Sequence, residues 1–320
     1  MNVTTNGVDL YVETAGDQDA PAVVLSHGWP ELSYSWRHQM PALADAGYYV
    51  IAPDQRGYGK STRPDAIADY DIVHLTDDLL GVLDALGKDS AIFVGHDWGS
   101  MVVGQMALLH PDRVAGLVNM SVPFLPRGEV SPVTMFRQLF GDTFFYILYF
   151  QEPGVADADL GRDPATTMRR LLAGAKVREG EGLDATGLTS PDQTAGFVER
   201  MPEPDALPDW LTQEELDHYV AEFTRTGFTG GVNWYRNFDR NWELTPQLAD
   251  AKVTVPSLFI SGRLDPVIRA TPPEAVTHLL ADHRGDVLID GAGHWVQQEK
   301  PDEVNAALVS FLRDVYEGAK

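Results

Sequence analysis

Three residues have the types and the order to carry covalent chemistry: Asp97, Asp265 and His294. Asp97 is the centre of Gly95-His96-Asp97-Trp98-Gly99. The apolar run Ala91-Ile92-Phe93-Val94 before it reads as a buried strand. The segment Ser100 to Leu109 after it is long and apolar enough for a helix, closed by His110-Pro111. Strand, tight turn and helix with Gly-x-Asp-x-Gly at the turn is the arrangement of a nucleophile elbow, with Asp97 where a hydrolase would usually carry Ser. Glycines flank the central residue because its backbone is strained and its neighbours press on the following helix. An Asp at such a place is also able to cap the helix. A serine must lose a proton before it attacks; an Asp carboxylate is already ionised at neutral pH. It can attack carbon directly and form an ester, which leaves a nearby histidine free to activate the water that cleaves it.

Of the nine histidines, His294 is the best base. It sits in Asp290-Gly291-Ala292-Gly293-His294-Trp295, a glycine-rich loop after an apolar strand. Asp265, in Ser261-Gly262-Arg263-Leu264-Asp265 after the preceding strand, is placed to hold the imidazole tautomer and stabilise the imidazolium. No carboxylate follows the strand ending at Asn119-Met120, the other common position for this acid. The order nucleophile, acid, histidine is the one expected for a strand–elbow–helix hydrolase. For the oxyanion, the backbone N–H after the nucleophile belongs to Trp98, and a second comes from His27-Gly28-Trp29-Pro30, most naturally from Trp29. His27 and His96 read as structural hydrogen-bonders.

Positioning these groups requires a scaffold, and the chain has the rhythm of one. Val8 to Glu13 alternates like an edge strand. Further strands are expected at Ala22 to Ser26, Tyr48 to Ala52, Ala91 to Val94 and Val114 to Met120, with helices at about Trp36 to Ala46 and Leu75 to Leu86 between them. Strands alternating with helices predict a mostly parallel sheet with helices on both faces, and ligands at the carboxyl ends of the strands. From Phe124 to Trp242 no strand pattern appears, only helical stretches such as Gln213 to Phe223 among Pro- and Gly-rich loops. This predicts an inserted helical cap, 124–242, between core segments 1–123 and 243–320. Sheet rhythm resumes at Val255 to Ser261 and Asp286 to Ile289, and a last amphipathic helix runs from Pro301 to about Tyr316.

Composition narrows the class. The chain has 320 residues, 44% hydrophobic and 22% charged, enough for a sizeable core. A net charge of −23 argues against nucleic acid or an anionic membrane as partner. With no cysteine, disulfides, thiol catalysis and thiolate metal sites are excluded. Met1 to Ala20 is polar and lacks the apolar core of a secretion signal, and the run Phe144 to Phe150 is too short to span a bilayer. A cytoplasmic protein, monomer or homodimer, is expected.

At this point the motifs resemble those of a known family, the epoxide hydrolases of the α/β-hydrolase fold, in the soluble form without the additional N-terminal domain of larger members. The matching pieces are His27-Gly28-Trp29-Pro30-Glu31, Ser35-Trp36-Arg37, Asp54 to Ser61, Gly95 to Gly99, Tyr149-Phe150-Gln151-Glu152-Pro153-Gly154, Asn233-Trp234-Tyr235-Arg236-Asn237 and Gly293-His294-Trp295. They cover nearly the whole chain. The core motifs are shared with dehalogenases; the two from the insertion are more specific to epoxide hydrolases.

The resemblance implies an epoxide and water as partners and a vicinal diol as product, through a hydroxyalkyl ester on Asp97, with no cofactor or metal. It also implies two tyrosines, one from each arm of the cap. Opening an epoxide releases an alkoxide, and a Tyr hydroxyl with a pKa of about 10 meets that oxygen while neutral at pH 7. The second maps onto Tyr235. The first maps onto Tyr146, with Tyr149 as the alternative because the two can share a helix face. Trp29, Trp98, Phe150 and Trp295 are expected to line the substrate pocket. The nearest alternative is a haloalkane or haloacid dehalogenase, which would use Asp97 and His294 but leave the tyrosines unexplained. A serine esterase would need Ser100, which is off the elbow apex, and a ligand receptor would have no use for the complete set.

Overall fold

The computed structural model describes residues 1–174, 176–177, 181 and 183–318. Its centre is an eight-stranded sheet of β1 (Asn2–Thr5), β2 (Val8–Ala15), β3 (Ala22–Ser26), β4 (Tyr49–Pro53), β5 (Ala91–His96), β6 (Val114–Met120), β9 (Val253–Gly262) and β10 (Leu280–Ile289), in spatial order β1-β2-β4-β3-β5-β6-β9-β10. A separate short pair, β7 (Phe144–Phe145) and β8 (Thr189–Ser190), lies in the segment between β6 and β9. Every pairing from β4 to β10 across the main sheet is parallel. Only β2, next to the β1 edge, runs against the others, so the β1–β2 and β2–β4 pairings are antiparallel.

The strands are apolar on both faces because both faces are covered. Alternation sorts neighbouring residues into two cores. Val23, Val50, Ile92 and Val118 turn to one side, against Trp36, Leu43, Leu308 and Phe311 of the flanking helices. Val24, Ile51, Phe93 and Leu117 turn to the other, against Leu75, Leu79, Val82 and Met106. The second core continues without a break into the insertion through Trp29, Phe150, Phe197 and Tyr235. The insertion is therefore packed on the body of the protein rather than tethered to it.

Several elements differ from expectation for local reasons. The edge strand is β1, not Val8 to Glu13; four partly polar residues are too few to show a pattern. The helix expected over Trp36 to Ala46 is a 3-10 turn, Ser33–Trp36, and a separate helix, Gln39–Asp45. Pro41 fits only in the first turn of a helix, so the helix cannot start earlier. The next helix begins at Ile72, earlier than expected, because the Asp71 carboxylate caps it by accepting the His74 N–H at 3.0 Å. β10 starts at Leu280, where the polar residues of an edge strand hide the rhythm. The insertion does contain strand, the β7–β8 pair. The helix Phe238–Leu244 runs across the boundary expected at 242/243. Among the described residues no helix is long and apolar enough to cross a membrane.

Candidate active site

Asp97 stands where β5 ends and the helix Trp98–Leu109 begins, with φ 52° and ψ −118°. A non-glycine residue at such an angle costs on the order of 1–3 kcal/mol and persists only where its surroundings force it. The flanking glycines show the force. A Cβ on Gly95 would lie 2.2 Å from the Gly99 carbonyl oxygen, and one on Gly28 would lie 2.4 Å from the Asp97 Cβ. Asp97 occupies the cap position of the helix, yet its side chain makes no capping bond. Its Oδ1 instead accepts the Trp29 N–H at 2.8 Å. Its Oδ2 is 3.6 Å from His294 Nε2.

His294 Nδ1 in turn donates to Asp265 Oδ2 at 3.1 Å. The other Asp265 oxygen accepts the Val267 N–H at 2.8 Å, which fixes the carboxylate. Asp97, His294 and Asp265, drawn from three strand ends, thus form one connected line. His294 is buried, which by itself disfavours its charged form; the carboxylates of Asp265 and Asp97 override this and lift its pKa well above the ordinary histidine value.

The main chain at His294 is held as firmly as the ring. Its carbonyl accepts His96 Nε2 at 2.8 Å and Ser121 Oγ at 2.7 Å. The other nitrogen of His96 lies 2.6 Å from Glu31 Oε2, so the ring bridges Glu31 and the His294 carbonyl. Burial pushes the Glu31 carboxyl up, but His96 and the Gly28 N–H outweigh it and bring the pKa down to about 2. His27 is a hydrogen-bonder to the Gln55 N–H and the Gly28 carbonyl. Glu31 and Ser121 were not singled out in the sequence. For Glu31 the signal was present in the His-Gly-x-Pro-Glu stretch, as a carboxylate in an otherwise apolar loop.

Above these groups is a small, mostly apolar cavity of about 70 Å³. Trp29, Asp97 and His294 line it from the sheet side, and Tyr146, Tyr235 and Trp295 line it around them. Tyr146 opens the one-turn helix Tyr146–Tyr149 and Tyr235 lies on the helix Thr229–Arg236. Burial foremost, and the Asp97 charge with it, raises both phenol pKa values, so both keep their protons at neutral pH. Tyr149, the alternative to Tyr146, turns away and donates to Asp159 Oδ2 at 3.3 Å.

Two of the expected lining residues stand behind the wall. Phe150 is fully buried and packs edge-on against Trp29, Tyr146 and Tyr235. The Trp98 side chain meets the Tyr235 ring at 5.2 Å from beneath. Both lie under the Tyr235 ring, which separates them from the cavity surface. Lining residues with no recognisable motif, Arg170, Met201 and Leu188, come from the insertion.

The two insertion motifs bind each other. Gln151 Nε2 donates to the Tyr235 carbonyl at 3.0 Å, and Arg236 Nε donates to the Phe150 carbonyl at 3.0 Å. Trp234 Nε1 then ties the second arm to the core by donating to the Arg56 carbonyl at 3.1 Å.

A parallel sheet with an acidic elbow after β5, an acid after β9 and a histidine after β10 defines an α/β hydrolase, and residues 21–301 match the family model for the alpha/beta hydrolase fold. Known relatives narrow this. The chain is 59% identical over 310 residues to epoxide hydrolase A of Mycobacterium tuberculosis, covering 97% of this chain and 96% of the other. It is 41% identical over 320 residues to epoxide hydrolase 1 of Siraitia grosvenorii, with 97% of each chain covered. The crystal structure of epoxide hydrolase A from Mycobacterium thermoresistibile superposes with a TM-score of 0.94 at 59% identity, over 98% of this chain and 97% of that one. This chain therefore belongs to the epoxide hydrolases of the α/β-hydrolase fold.

Proposed function

We propose that the protein opens an organic epoxide in two steps on Asp97. The epoxide sits with its oxygen at the Tyr146 and Tyr235 hydroxyls. The Asp97 carboxylate attacks a ring carbon, the C–O bond breaks, and the tyrosines deliver a proton to the departing oxygen. The product of this step is a hydroxyalkyl ester of Asp97. Water then attacks the ester carbonyl, with His294 taking its proton and Asp265 holding the imidazolium. The backbone N–H groups of Trp29 and Trp98 hold the oxyanion. Collapse releases a vicinal diol and restores the carboxylate.

The electrostatics favour this order. While Asp97 is ionised it helps to hold a proton on His294. Esterification removes that charge, so the proton leaves and can restore the tyrosine that gave one up. His294 is then neutral, the form a base needs, when water must be activated.

The observation that carries the reading is the pair of buried phenols, each feeling the Asp97 charge across one cavity. A halide leaves without a proton and would not need them. On this reading 124–242 act as a cap that completes the pocket, and the enzyme works in the cytoplasm, as monomer or homodimer, without cofactor or metal. The test is product analysis with racemic styrene oxide. Wild type should yield phenyl diol and Asp97→Ala should lower the rate at least ~10⁴-fold. Undiminished diol from Asp97→Ala would remove Asp97 from the mechanism.

A further inference from the structure

The loop that carries His294 is rich in glycine, so something other than its own backbone must hold it. The short helix after it, Val296–Glu299, ends in a carboxylate that turns back on the loop. Glu299 Oε2 accepts the Gly293 N–H at 2.9 Å, and Oε1 accepts the Trp295 N–H at 3.1 Å. These are the N–H groups of the two residues that flank His294. The counter-charge comes from the insertion: Lys176 Nζ lies 2.7 Å from Glu299 Oε2 and also donates to the Gly291 carbonyl at 3.1 Å. The next residue, Val177, donates its N–H to the Leu264 carbonyl at 3.0 Å, beside Asp265. Two adjacent residues of the insertion thus touch both the acid loop and the base loop. The Glu299 side chain is only 2% exposed, whereas that of Lys176 is 38% exposed.

We propose that Glu299, with Lys176 as its counter-ion, is a positioning residue for the water-activating step. This rests on the ester mechanism above. Glu299 touches no substrate. It acts by keeping the His294 backbone where the ring meets both Asp265 and the water attacking the ester. Both of its hydrogen bonds are charge-assisted and bracket a single residue. Small displacements of a catalytic base cost rate steeply. The attack of Asp97 does not require His294 as a base, so loss of Glu299 should slow ester breakdown and spare ester formation.

The test is single-turnover quench with styrene oxide, following the mass of the peptide that contains Asp97. In Glu299→Gln the amide can accept from only one of the two N–H groups, and ester breakdown should slow about tenfold with ester formation within about twofold. Glu299→Asp, which keeps the carboxylate, should recover part of the breakdown rate, a rescue that a purely structural role would not produce. Lys176→Gln, exposed and outside the core, should slow breakdown about two- to threefold. Should Glu299→Gln fail to fold, Lys176→Gln decides. An Asp97 ester that forms and decays at the wild-type rate in the folded variants overturns the proposal while leaving Asp97 as nucleophile. Absence of any Asp97 ester, in wild type and variants alike, overturns both.

Discussion

The sheet edge and the insertion hold their reactive groups by different means. Asp97, Asp265 and His294 are fixed by the backbone. A forced φ aims the first, the Val267 N–H pins the second, and hydrogen bonds to the carbonyl and to both flanking N–H groups pin the third. Tyr146 and Tyr235 are packed among rings. Tyr146 meets Phe150 at 5.5 Å and Phe197 at 5.7 Å, and Tyr235 meets Phe150 at 5.1 Å and Trp98 at 5.2 Å. Hydrogen bonds weaken steeply with angle, whereas aromatic packing tolerates offset and tilt. The sheet edge therefore sets bond-making geometry, and the insertion sets the shape above it within a softer tolerance.

If that division holds, removing the two phenols should harm the reaction in proportion to the proton they supply while leaving the Asp97–His294–Asp265 line intact. Tyr146→Phe and Tyr235→Phe should each lower the rate of ester formation about 10- to 100-fold, and the double variant about 10³-fold or more. The ring packing that holds them survives, so the melting temperature should change little. Equal rates in the double variant and wild type would break the comparison, because the insertion would then contribute shape alone.

A smaller effect should appear in acid, on the sheet side. Glu31 binds its proton less readily in the fold than in the unfolded chain, where its pKa is about 4.5. As pH falls below that value the unfolded state takes up the proton first, so stability is lost between pH 4.5 and about 2. The loss is on the order of 3 kcal/mol, and it should be reduced in Glu31→Gln relative to wild type when urea midpoints are followed over that range. A wild-type stability that is flat from pH 4.5 to 2.5 would show that Glu31 does not anchor the His96–His294 support.

The smallest effect sharpens the division inside the insertion itself. Tyr149→Phe should change turnover less than about twofold and stability by about 1 kcal/mol or less, since it loses only a long hydrogen bond to Asp159. A loss as large as that of Tyr146→Phe would mean that the helix Tyr146–Tyr149 turns in solution to present the other ring.

How much of this was legible follows the same line. Asp97, Asp265 and His294 could be read because a strand end, a glycine-bounded turn and a chain order are all local patterns. The Trp29 N–H, expected as an oxyanion donor, reaches Asp97 Oδ1 at 2.8 Å, although Trp98 and Phe150 could not be told apart from lining residues: burial behind a wall and burial within one look alike in a sequence. Glu299 carried no signal, because its partners are peptide N–H groups, which every residue has. The same limit hid β1, too short to show alternation, and the Asp71 cap.

The residues and their order pointed to the reaction class: an aspartate on an elbow, a late acid and histidine, and two tyrosine-bearing motifs in the insertion. Which tyrosine faces Asp97 was decided only by the tertiary structure. Tyr146 and Tyr149 are three residues apart in a helix of a single turn, so nothing local distinguishes them. Contacts from distant parts of the chain do. Tyr235 and Phe197 take the first ring, and Asp159 takes the second hydroxyl. Side-chain direction in so short an element is set by long-range packing, and long-range packing exists only once the chain has folded.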